Sequence, residues 1–466
     1  MKSLLTILLS FLSSWVFSQD YYYAVTGELM EGRMGHTATF IPSISNVSSP
    51  FGAILVAGGT DGFNVKSNAE WQGAILQMTV PRTDHSANEV FGKIFIAGGW
   101  DGFSTNWNTT EIFDPTTEEF TPGPIMSSGR TYHRSVQLND GRILITGGYD
   151  GTNNLSSCEI YDPSTNQLVP TGSMNYGRSS HTCTVLPNGK VLVTGGFNPD
   201  FGFQMNQCEL YDPQTGAWTE TDALSSSRDN HAAAAFTVNF NGNNITGVMV
   251  TGGRYFNSAL NYFQGITSVE FWEINSESWM SLTDLPEGQS YHQMFACDMN
   301  GSVELVIPGG MMNSGSGVAD TYSPAVSGSN LIWYPIEEGI IPAQGRQKYA
   351  AVKIEGNVMD EIYMFGGLTT GGDLSEVGVF SPLLVGVEEA SKTTFSLYPQ
   401  PSNGLVNIQL PTNEMAFVEI FNALGQKVQE FSMVEIGQFS MVTPGQYFVR
   451  VKSEKGTQVK SFLIIE

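Results

Sequence analysis

The sequence predicts an all-β protein, with a seven-bladed β-propeller followed by a small C-terminal β-sandwich. Three observations support this prediction. A unit of roughly 50 residues recurs seven times along most of the chain, which is typical of propellers. The 51 Gly, the 11% aromatic content and the low charged fraction of 14% favour strands and turns. After the repeats, apolar and polar residues alternate in short segments, as they do in half-buried strands.

The charge balance limits the kinds of partner. The 466 residues include 21 Lys and Arg and 45 Asp and Glu, which gives a formal net charge of −24. A protein that follows nucleic-acid phosphates needs basic clusters that release counterions, so no nucleic acid is expected as a partner. Four cysteines in a chain of this length cannot be its main source of stability, and a disulfide-stapled scaffold is therefore excluded.

Residues 1–18 have the pattern of a secretory signal peptide. Lys2 supplies the positive start, residues 4–17 are mostly apolar, and Ser18 places a small residue at the expected cleavage point. The apolar run is shorter than the roughly 20 residues that a membrane span requires, and no later segment is apolar enough to span a membrane. We expect a secreted or cell-surface protein, exported via the periplasm, with no membrane span.

Two sequence marks recur in residues 19–382. A Gly-Gly doublet ends each of seven apolar strands, with first glycines Gly58, Gly98, Gly147, Gly195, Gly252, Gly309 and Gly366. An Arg-x-x-His motif precedes each strand, in copies that begin at Arg33, Arg82, Arg130, Arg178, Arg228, Gln289 and Arg346. The last two copies each carry one substitution. One small twisted sheet cannot bury both of its faces alone, so the units are expected to pack side by side as blades.

A third mark, an aromatic residue followed by Asp-Pro or Ser-Pro, comes after most doublets, as at Tyr161 and Tyr211. Together with the doublet and a bulky residue such as Trp218 farther on, it resembles the kelch repeat. This resemblance implies a kelch propeller over residues 19–382. The last unit ends after its third strand, while residues 21–26 form an unassigned strand ahead of the first motif. We expect that strand to pair into the last blade and close the ring, which removes an exposed sheet edge.

The composition changes after Pro382, and residues 383–394 are typical of a linker. Residues 395–466 contain short alternating segments separated by Gly-containing turns, which predict a small antiparallel β-sandwich. Three motifs occur there in order: Tyr398-Pro-Gln-Pro-Ser-Asn-Gly404, Ile420-Phe-Asn-Ala-Leu-Gly-Gln426 and Pro444-Gly-Gln-Tyr-Phe-Val-Arg-Val451. They resemble the C-terminal sorting domain (type A) of type IX secretion cargo. The resemblance implies the type IX secretion machinery as a partner.

One face of the propeller collects candidate binding residues. Because strands in a blade run antiparallel, the Arg-x-x-His motif and the turn after the Gly-Gly doublet lie on the same face. Guanidinium groups and aromatic rings suit a glycan or protein ligand. The candidates are Arg33, Arg82, Arg130, Arg178, Arg228, Arg346, Trp100, Tyr149 and Tyr255. In the alternative interpretation, each Arg pairs with a neighbouring Asp or loop carbonyl and joins one blade to the next.

Enzymatic alternatives rest on two further resemblances. Arg130-Thr-Tyr132-His133 resembles the sequence that supplies a Tyr and a His ligand in galactose-oxidase-like copper-radical oxidases, which would imply copper bound by Tyr132 and His133. That family also uses a second His, a second Tyr and a cross-linked Cys, and the sequence does not identify this Cys. Kelch propellers resembling sialic-acid mutarotases need only an Arg and a carboxylate at the mouth, which this chain could provide.

The sequence therefore predicts an exported binding or adhesion module that recognises a glycan or protein through one propeller face, without a cofactor or catalytic residues. All six His belong to the repeated motif, so no independent catalytic His remains. The alternative is an exported carbohydrate-active kelch enzyme, either a galactose-oxidase-like copper-radical oxidase or similar to sialic-acid mutarotases. The aromatic residues differ between units and are better candidates for specific recognition than the repeated arginines.

Overall fold

The computed structural model describes residues 21–42, 53–240, 243–299, 302–312, 322–327, 330–335, 348–355, 360–369, 372–373 and 375–382, and strands within 396–464. The predicted signal peptide, the predicted linker and Arg346 lie outside these residues. The described part is all-β except for a single 3-10 turn at Pro199–Phe201. None of its helices is long and apolar enough to cross a membrane. The chain divides into two compact units, one of Asp20–Leu383 and one that contains Leu384–Glu466.

The first three repeats each form a four-stranded antiparallel sheet in simple up-and-down order. Sheet 1 contains β2 (Thr37–Phe40), β3 (Ile54–Ala57), β4 (Asn68–Trp71) and β5 (Ala74–Gln77). Sheet 2 contains β6 (Ser86–Val90), β7 (Lys93–Ala97), β8 (Thr110–Asp114) and β9 (Glu119–Pro122). Sheet 3 contains β10 (Arg134–Gln137), β11 (Ile143–Thr146), β12 (Cys158–Asp162) and β13 (Gln167–Thr171).

The next two repeats add a hairpin between the second and third strands of the sheet. Sheet 4 contains β14 (Thr182–Val185), β15 (Val191–Thr194), β18 (Cys208–Asp212) and β19 (Ala217–Thr221), with the hairpin β16 (Phe197–Asn198) and β17 (Phe203–Gln204). Sheet 5 contains β20 (Ala232–Phe240), β21 (Asn243–Thr251), β24 (Val269–Glu273) and β25 (Ser278–Ser281), with the hairpin β22 (Arg254–Asn257) and β23 (Tyr262–Gly265).

In the sixth repeat the described strands are β26 (Gln289–Ser290), β27 (Phe295–Met299), β28 (Ser302–Val306), β29 (Met311–Met312), β30 (Tyr322–Ser327) and β31 (Asn330–Pro335). They form three two-stranded sheets, in which β26 pairs with β29, β27 with β28 and β30 with β31. The last sheet, which we call the joint sheet, combines β32 (Ala350–Ile354), β33 (Glu361–Phe365), β36 (Glu376–Pro382) and the N-terminal β1 (Tyr21–Glu28). A small hairpin, β34 (Leu368–Thr369) with β35 (Gly372–Asp373), lies between β33 and β36. In the joint sheet β1 pairs antiparallel with β36, and Tyr21 lies opposite Pro382.

The hydrophobic core of this unit lies between successive sheets. Second strands such as β3, β7 and β11 are buried, and their side chains pack on both neighbouring sheets. Leu55 of β3, for example, shares a cluster with Ile94 of sheet 2. The same kind of cluster joins each pair of neighbours through to the joint sheet, which packs on sheet 1 through Phe365 and Val56. The innermost strands also lie side by side in chain order, from β32 through β2, β6, β10, β14 and β20 to β27.

The C-terminal unit contains two antiparallel sheets, one of β37 (Ser396–Tyr398), β38 (Leu405–Gln409) and β41 (Ile436–Ser440). The other contains β40 (Lys427–Val434), β39 (Met415–Asn422), β42 (Gly445–Ser453) and β43 (Gly456–Ile464). Val406 and Ile408 of the first sheet share one buried cluster with Val418 and Val449 of the second. This unit therefore has its own core.

Candidate functional site

The arginines of the Arg-x-x-His motif lie inside the protein rather than on its surface. Five are described, each has a fully buried side chain, and each pairs with a glutamate on the third strand of its own sheet. The pairs are Arg33–Glu70 at 2.5 Å, Arg82–Glu111 at 2.6 Å, Arg130–Glu159 at 2.8 Å, Arg178–Glu209 at 2.8 Å and Arg228–Glu270 at 2.7 Å. We call these pairs the arginine clamps. The prediction that these five arginines meet a ligand is wrong, because no guanidinium surface is left exposed.

Each clamp also holds the chain segment that enters the repeat. In sheet 4, Arg178 Nη1 donates to the carbonyl oxygens of Gly195 at 2.7 Å and Gln207 at 2.8 Å. Its partner Glu209 accepts a hydrogen bond from the backbone N–H of Asn175 at 2.7 Å, just before the motif. A buried charge is tolerated only when it is paired and hydrogen-bonded in this way. The alternative interpretation is therefore right that these five arginines are structural and bond loop carbonyls, but their carboxylate partner is a Glu of the same sheet and not an Asp, and the ion pair does not join one blade to the next.

The Gly-Gly doublets connect each sheet to the next clamp. The N–H of Gly99 donates to the carbonyl oxygen of Arg130 at 2.9 Å, and Gly367 of the joint sheet donates in the same way to Arg33 at 2.9 Å. The preceding glycine, Gly98, has φ +67°, and a Cβ there would collide with the Arg130 carbonyl oxygen. A Cβ on Gly99 would instead collide with His85 and the Thr83 carbonyl oxygen of its own repeat, so both glycines are needed, the first facing the next motif and the second its own.

The histidines of the motif occupy the same inter-sheet layer. His133 Nε2 lies 2.8 Å from Ser86 Oγ of the preceding sheet, and His292 Nε2 lies 2.9 Å from Thr251 Oγ1. Burial, reinforced by the nearby arginine, lowers the pKa of His133 to about 3, and burial lowers that of His292 to about 4. These imidazoles are neutral at physiological pH and act as packing and hydrogen-bonding groups.

The third residue of each motif copy, by contrast, lies at the centre of the ring of innermost strands. These residues all have positive φ: Gly35, Asp84, Tyr132, Ser180, Asn230, Tyr291 and Lys348. Six of the seven, all except Lys348, donate their N–H to the carbonyl oxygen of the equivalent residue in a neighbouring repeat. The series starts at the Lys348 carbonyl, passes through Gly35 and ends at the N–H of Tyr291. We call these seven residues the axial ring. None of them is fully buried, and the six that carry a side chain are of five residue types: Asp, Tyr, Ser, Asn and Lys.

A carboxyl group and a phenol meet within the axial ring. The Tyr132 hydroxyl donates to the Asp84 carboxylate, which also accepts a hydrogen bond from Thr83 Oγ1 at 3.3 Å. Burial raises the pKa of Asp84, partly offset by the charges of Lys348 and Arg134. The negative charge of Asp84 and burial raise the pKa of Tyr132, whose side chain is still 37% exposed. These polar groups are therefore close together and accessible.

A second group extends the axial ring toward sheet 5. Arg254 Nε donates to Asp229 Oδ1 at 2.7 Å, and its guanidinium lies over the Phe263 ring at 4.1 Å and the Tyr291 ring at 4.9 Å. Gln204 of the sheet 4 hairpin donates to the same buried Asp229 at 3.0 Å. Arg254 is thus held in place before any ligand arrives.

Aromatic side chains form a ridge across the two hairpins. Neighbouring ring centroids are 6.0 Å apart for Phe197 and Phe203, 5.8 Å for Phe203 and Phe256, and 5.3 Å for Phe256 and Phe263. Tyr255 on the same hairpin is 38% exposed, and its hydroxyl donates to Gln264 Oε1 at 2.7 Å. We call the five residues Phe197, Phe203, Tyr255, Phe256 and Phe263 the aromatic ridge. The sheet 5 hairpin also carries Arg254, so the ridge continues to the axial ring.

The other predicted aromatic residues lie in the turns of sheets 2 and 3. Trp100 bridges to Thr83 and Tyr149 bridges to Thr131, which places both turns beside the motif, on the face expected from the antiparallel strands. Both side chains are only partly exposed, and the Tyr149 hydroxyl donates to the Gly151 carbonyl oxygen at 2.8 Å. At the tips of two such turns, Phe63 and Phe103 are 91% and 83% exposed. We call the surface of the axial ring, the aromatic ridge and these turns the mouth face.

The residues implied by the copper-oxidase resemblance do not fit a copper site. His133 is buried against Ser86, and the Tyr132 hydroxyl is engaged by Asp84. Within the described ranges, no group of three or more His, Cys, Asp or Glu is arranged to hold a metal ion. Cys158, Cys183 and Cys208 sit in the packed strands, where burial raises each pKa to about 12. We therefore derive no copper chemistry for this chain.

The two motif positions between Arg and His were not predicted from the sequence as candidate binding positions. Their side chains change from repeat to repeat, while Arg and His mostly stay the same. That contrast was available in the sequence, because Gly35, Asp84, Tyr132 and Ser180 occupy one position in successive copies. A structural role needs the same residue in every blade, whereas a binding site on the axis needs different residues.

Comparison with known proteins agrees with the sequence marks. A model for the kelch motif matches residues 81–127, 130–175 and 178–221, and a secretion system C-terminal sorting domain matches residues 396–466. Both resemblances found in the sequence are thereby confirmed, and the sorting domain indicates secretion and cell-surface export by the type IX machinery. No curated protein matches the chain.

Two solved structures are similar to this chain. YjhT is 16% identical, with a TM-score of 0.48, over 67% of this chain and 100% of its own. A fungal alcohol oxidase of the AA5 family, determined in complex with copper, is 13% identical, with a TM-score of 0.56, over 95% of this chain and 99% of its own. At this level of identity such likeness concerns the fold alone. The described part of the chain is therefore all-β, with kelch motif repeats in its propeller unit and a secretion system C-terminal sorting domain at residues 396–466.

Proposed function

We propose that this protein is an exported module that binds a glycan or protein through the mouth face. The main support is that the axial ring, whose side chains differ from repeat to repeat, lies on the same surface as the exposed aromatic ridge. A ligand pocket typically combines apolar rings with a few fixed polar groups, and this surface has that composition. The proposed contact residues include Trp100, Tyr149 and Tyr255. The five buried arginines are not among them.

The arrangement favours a glycan over a protein. A sugar presents a C–H face that can lie flat on an aromatic ring and hydroxyl groups that need polar partners at the edge. Tyr255 supplies an exposed ring, while Asp84, Tyr132 and Asn230 supply donors and acceptors nearby. The polar groups are held by bonds within the protein, which reduces the entropy lost on binding.

A glycan array followed by calorimetry tests this function with the full chain. For the best-bound glycan, Tyr255→Ala and Phe203→Ala should each weaken binding at least about tenfold, because each removes an exposed stacking ring. The matched control is Phe91→Ala, since Phe91 is 71% exposed in the turn between β6 and β7 at the opposite face. The proposal would be overturned if only Phe91→Ala weakened binding. It would also be overturned if no glycan on the array bound.

A second candidate function is that of a mutarotase-like carbohydrate-active enzyme. It is favoured by Asp84, an accessible carboxyl group whose pKa is raised by burial and which is hydrogen-bonded to Tyr132. A carboxyl group whose pKa is raised is a better general acid or base for proton exchange with a sugar than an ordinary aspartate. Proton NMR of sugar anomers should then show interconversion above the spontaneous rate that Asp84→Asn abolishes. A rate equal to buffer alone for all sugars on the array would reject this candidate.

We also infer that the propeller has seven blades, with hairpins β27–β28 and β30–β31 forming the sixth and β1 completing the seventh. The inference rests on the seven members of the axial ring and on the pairing of β1 with β36. Deletion of residues 21–26 should then expose the edge of β36 and lower the thermal midpoint by more than about 5 °C. An unchanged midpoint in a calorimetric scan would contradict the closure.

A further inference from the structure

Most cations of the propeller unit are neutralised by a nearby carboxylate. Besides the five arginine clamps, the ion pairs are Lys66–Glu31, Lys93–Asp114, Arg142–Asp140, Arg254–Asp229 and Lys353–Asp360. Such pairing is expected in a chain with a formal net charge of −24, where carboxylates outnumber cations about two to one. A cation without a carboxylate partner is therefore the exception in this molecule.

Three cations in the described part of this unit have no carboxylate within ion-pair distance: Arg134, Lys190 and Lys348. Lys190 lies in the turn between β14 and β15, at the face opposite the mouth. Arg134 directly follows His133, and its Nε donates to the His181 carbonyl oxygen at 2.8 Å. Lys348 belongs to the axial ring, with its ammonium 6.0 Å from the centre of the Tyr291 ring. Both charges act on the Asp84 carboxyl group, which places two of the three exceptions beside the same residue.

A third positive group lies beside them. Arg254 is oriented by Asp229 and by the rings of Phe263 and Tyr291, and its partner Asp229 has no exposed surface. The carboxylate beside them is the partly exposed Asp84, which accepts hydrogen bonds from Thr83 and Tyr132 and whose pKa, raised by burial, is partly lowered again by the charges of Lys348 and Arg134. At the axial ring, the three cations Lys348, Arg134 and Arg254 therefore outnumber the two carboxylates, Asp84 and the buried Asp229.

We infer that the axial ring binds the carboxylate of an acidic glycan, with Lys348 and Arg134 as its counter-charges and Arg254 beside them. The inference rests on the proposed function, since the aromatic ridge would carry the neighbouring sugar. Cations that form no ion pair within the protein can be neutralised by an anionic ligand, and they select against neutral competitors. Arginine adds a planar fork that matches a carboxylate.

Matched pairs of glycans test the inference on the full chain. The probes are uronic-acid oligosaccharides and the same oligosaccharides with their carboxyl groups reduced to alcohols. The acidic form should bind at least about tenfold more tightly, with an advantage that shrinks as salt is raised. Lys348→Met should remove most of this advantage, because it should weaken binding of the acidic form much more than binding of the reduced form. Lys190→Met is the matched control and should change neither form.

The outcomes separate this inference from the proposed function. If acidic and reduced forms bind equally and Lys348→Met has no effect, while Tyr255→Ala still weakens binding, the carboxylate subsite is refuted and the glycan site remains. If Lys190→Met weakens acidic binding as much as Lys348→Met, the effect is one of overall charge, and the subsite is refuted as well. If neither form binds, both proposals fail.

Discussion

The Arg-x-x-His motif contains positions that are buried between sheets and a position that lies on the axial ring. Its first and last residues are buried between sheets, where Arg178 pairs with Glu209 and His181 bonds Thr146 of the preceding sheet. Its third residue lies on the axial ring, where Ser180 in one repeat corresponds to Tyr132 in another. The repeated positions hold the blades together, and the variable position is free to meet a ligand. In a repeat protein, variation within a motif is thus a better guide to binding than repetition.

The histidines should produce the largest effect on stability. Burial lowers the pKa of all six, to about 3 for His36 and well below 6.5 for His181, so the folded state stays unprotonated where the unfolded state takes up protons. Stability is therefore present above pH 6.5 and is lost as the pH falls below it. The loss should reach about 1.4 kcal/mol per pH unit for each histidine, or about 8 kcal/mol per unit for six.

Urea unfolding at about pH 7 and about pH 5.5 measures this loss. His292→Gln serves as the internal control, because its amide can still bond Thr251 but takes up no proton, and the pH dependence should fall by about one sixth. Equal free energies of unfolding at the two pH values would show that the histidines are not buried as described.

The arginine clamps should give the next largest effect. Arg178→Leu leaves Glu209 buried without its partner, and breaking such a pair costs about 3–5 kcal/mol of unfolding free energy. Arg142→Leu is the matched control, because the Arg142–Asp140 pair is largely exposed and should contribute less than about 1 kcal/mol. Chemical denaturation measures both variants, and a loss for Arg178→Leu no greater than for Arg142→Leu would mean that the clamps are dispensable.

The Gly-Gly doublets should give a smaller effect. Gly98→Ala combines a strained positive φ with a collision at the Arg130 carbonyl oxygen and should cost about 2–4 kcal/mol. Gly73→Ala has a similar φ of +78° and open space around the new Cβ, so it should cost only about 1 kcal/mol. If Gly98→Ala and Gly73→Ala lowered the free energy of unfolding by similar amounts in thermal unfolding, the close approach of the next repeat to Gly98 would play no part.

The sequence predicted the all-β architecture and the sorting domain because their signals are local. Gly-Gly after an apolar strand and alternating residues after 395 each constrain the backbone directly. The burial of Arg130 was not predicted, because it depends on Glu159, which lies 29 residues away on another strand. A signal did exist: Glu159 and Glu209 each stand two residues before the aromatic mark, in step with the arginines. If each motif arginine is paired with the glutamate of the same repeat, the arginines are expected to be buried.

The binding residues could be predicted only in part. Tyr255 was expected from its place after a doublet, whereas the role of Lys348 depends on its lack of a carboxylate partner, which no spacing reveals. Hairpin contacts such as that of Gln204 with Asp229 join residues from different repeats and are equally hidden in the sequence. Specificity in this fold arises where loops of different repeats meet, and local patterns carry little information about that.

The most direct test of the division between repeated and variable residues is a crystal structure of the full chain with the glycan selected on the array. The account predicts that the ligand lies on the mouth face, with a sugar ring against Tyr255 or its neighbours on the ridge and a polar contact to at least one axial-ring side chain. A ligand bound at the opposite face near Phe91, or on the C-terminal unit, would contradict it.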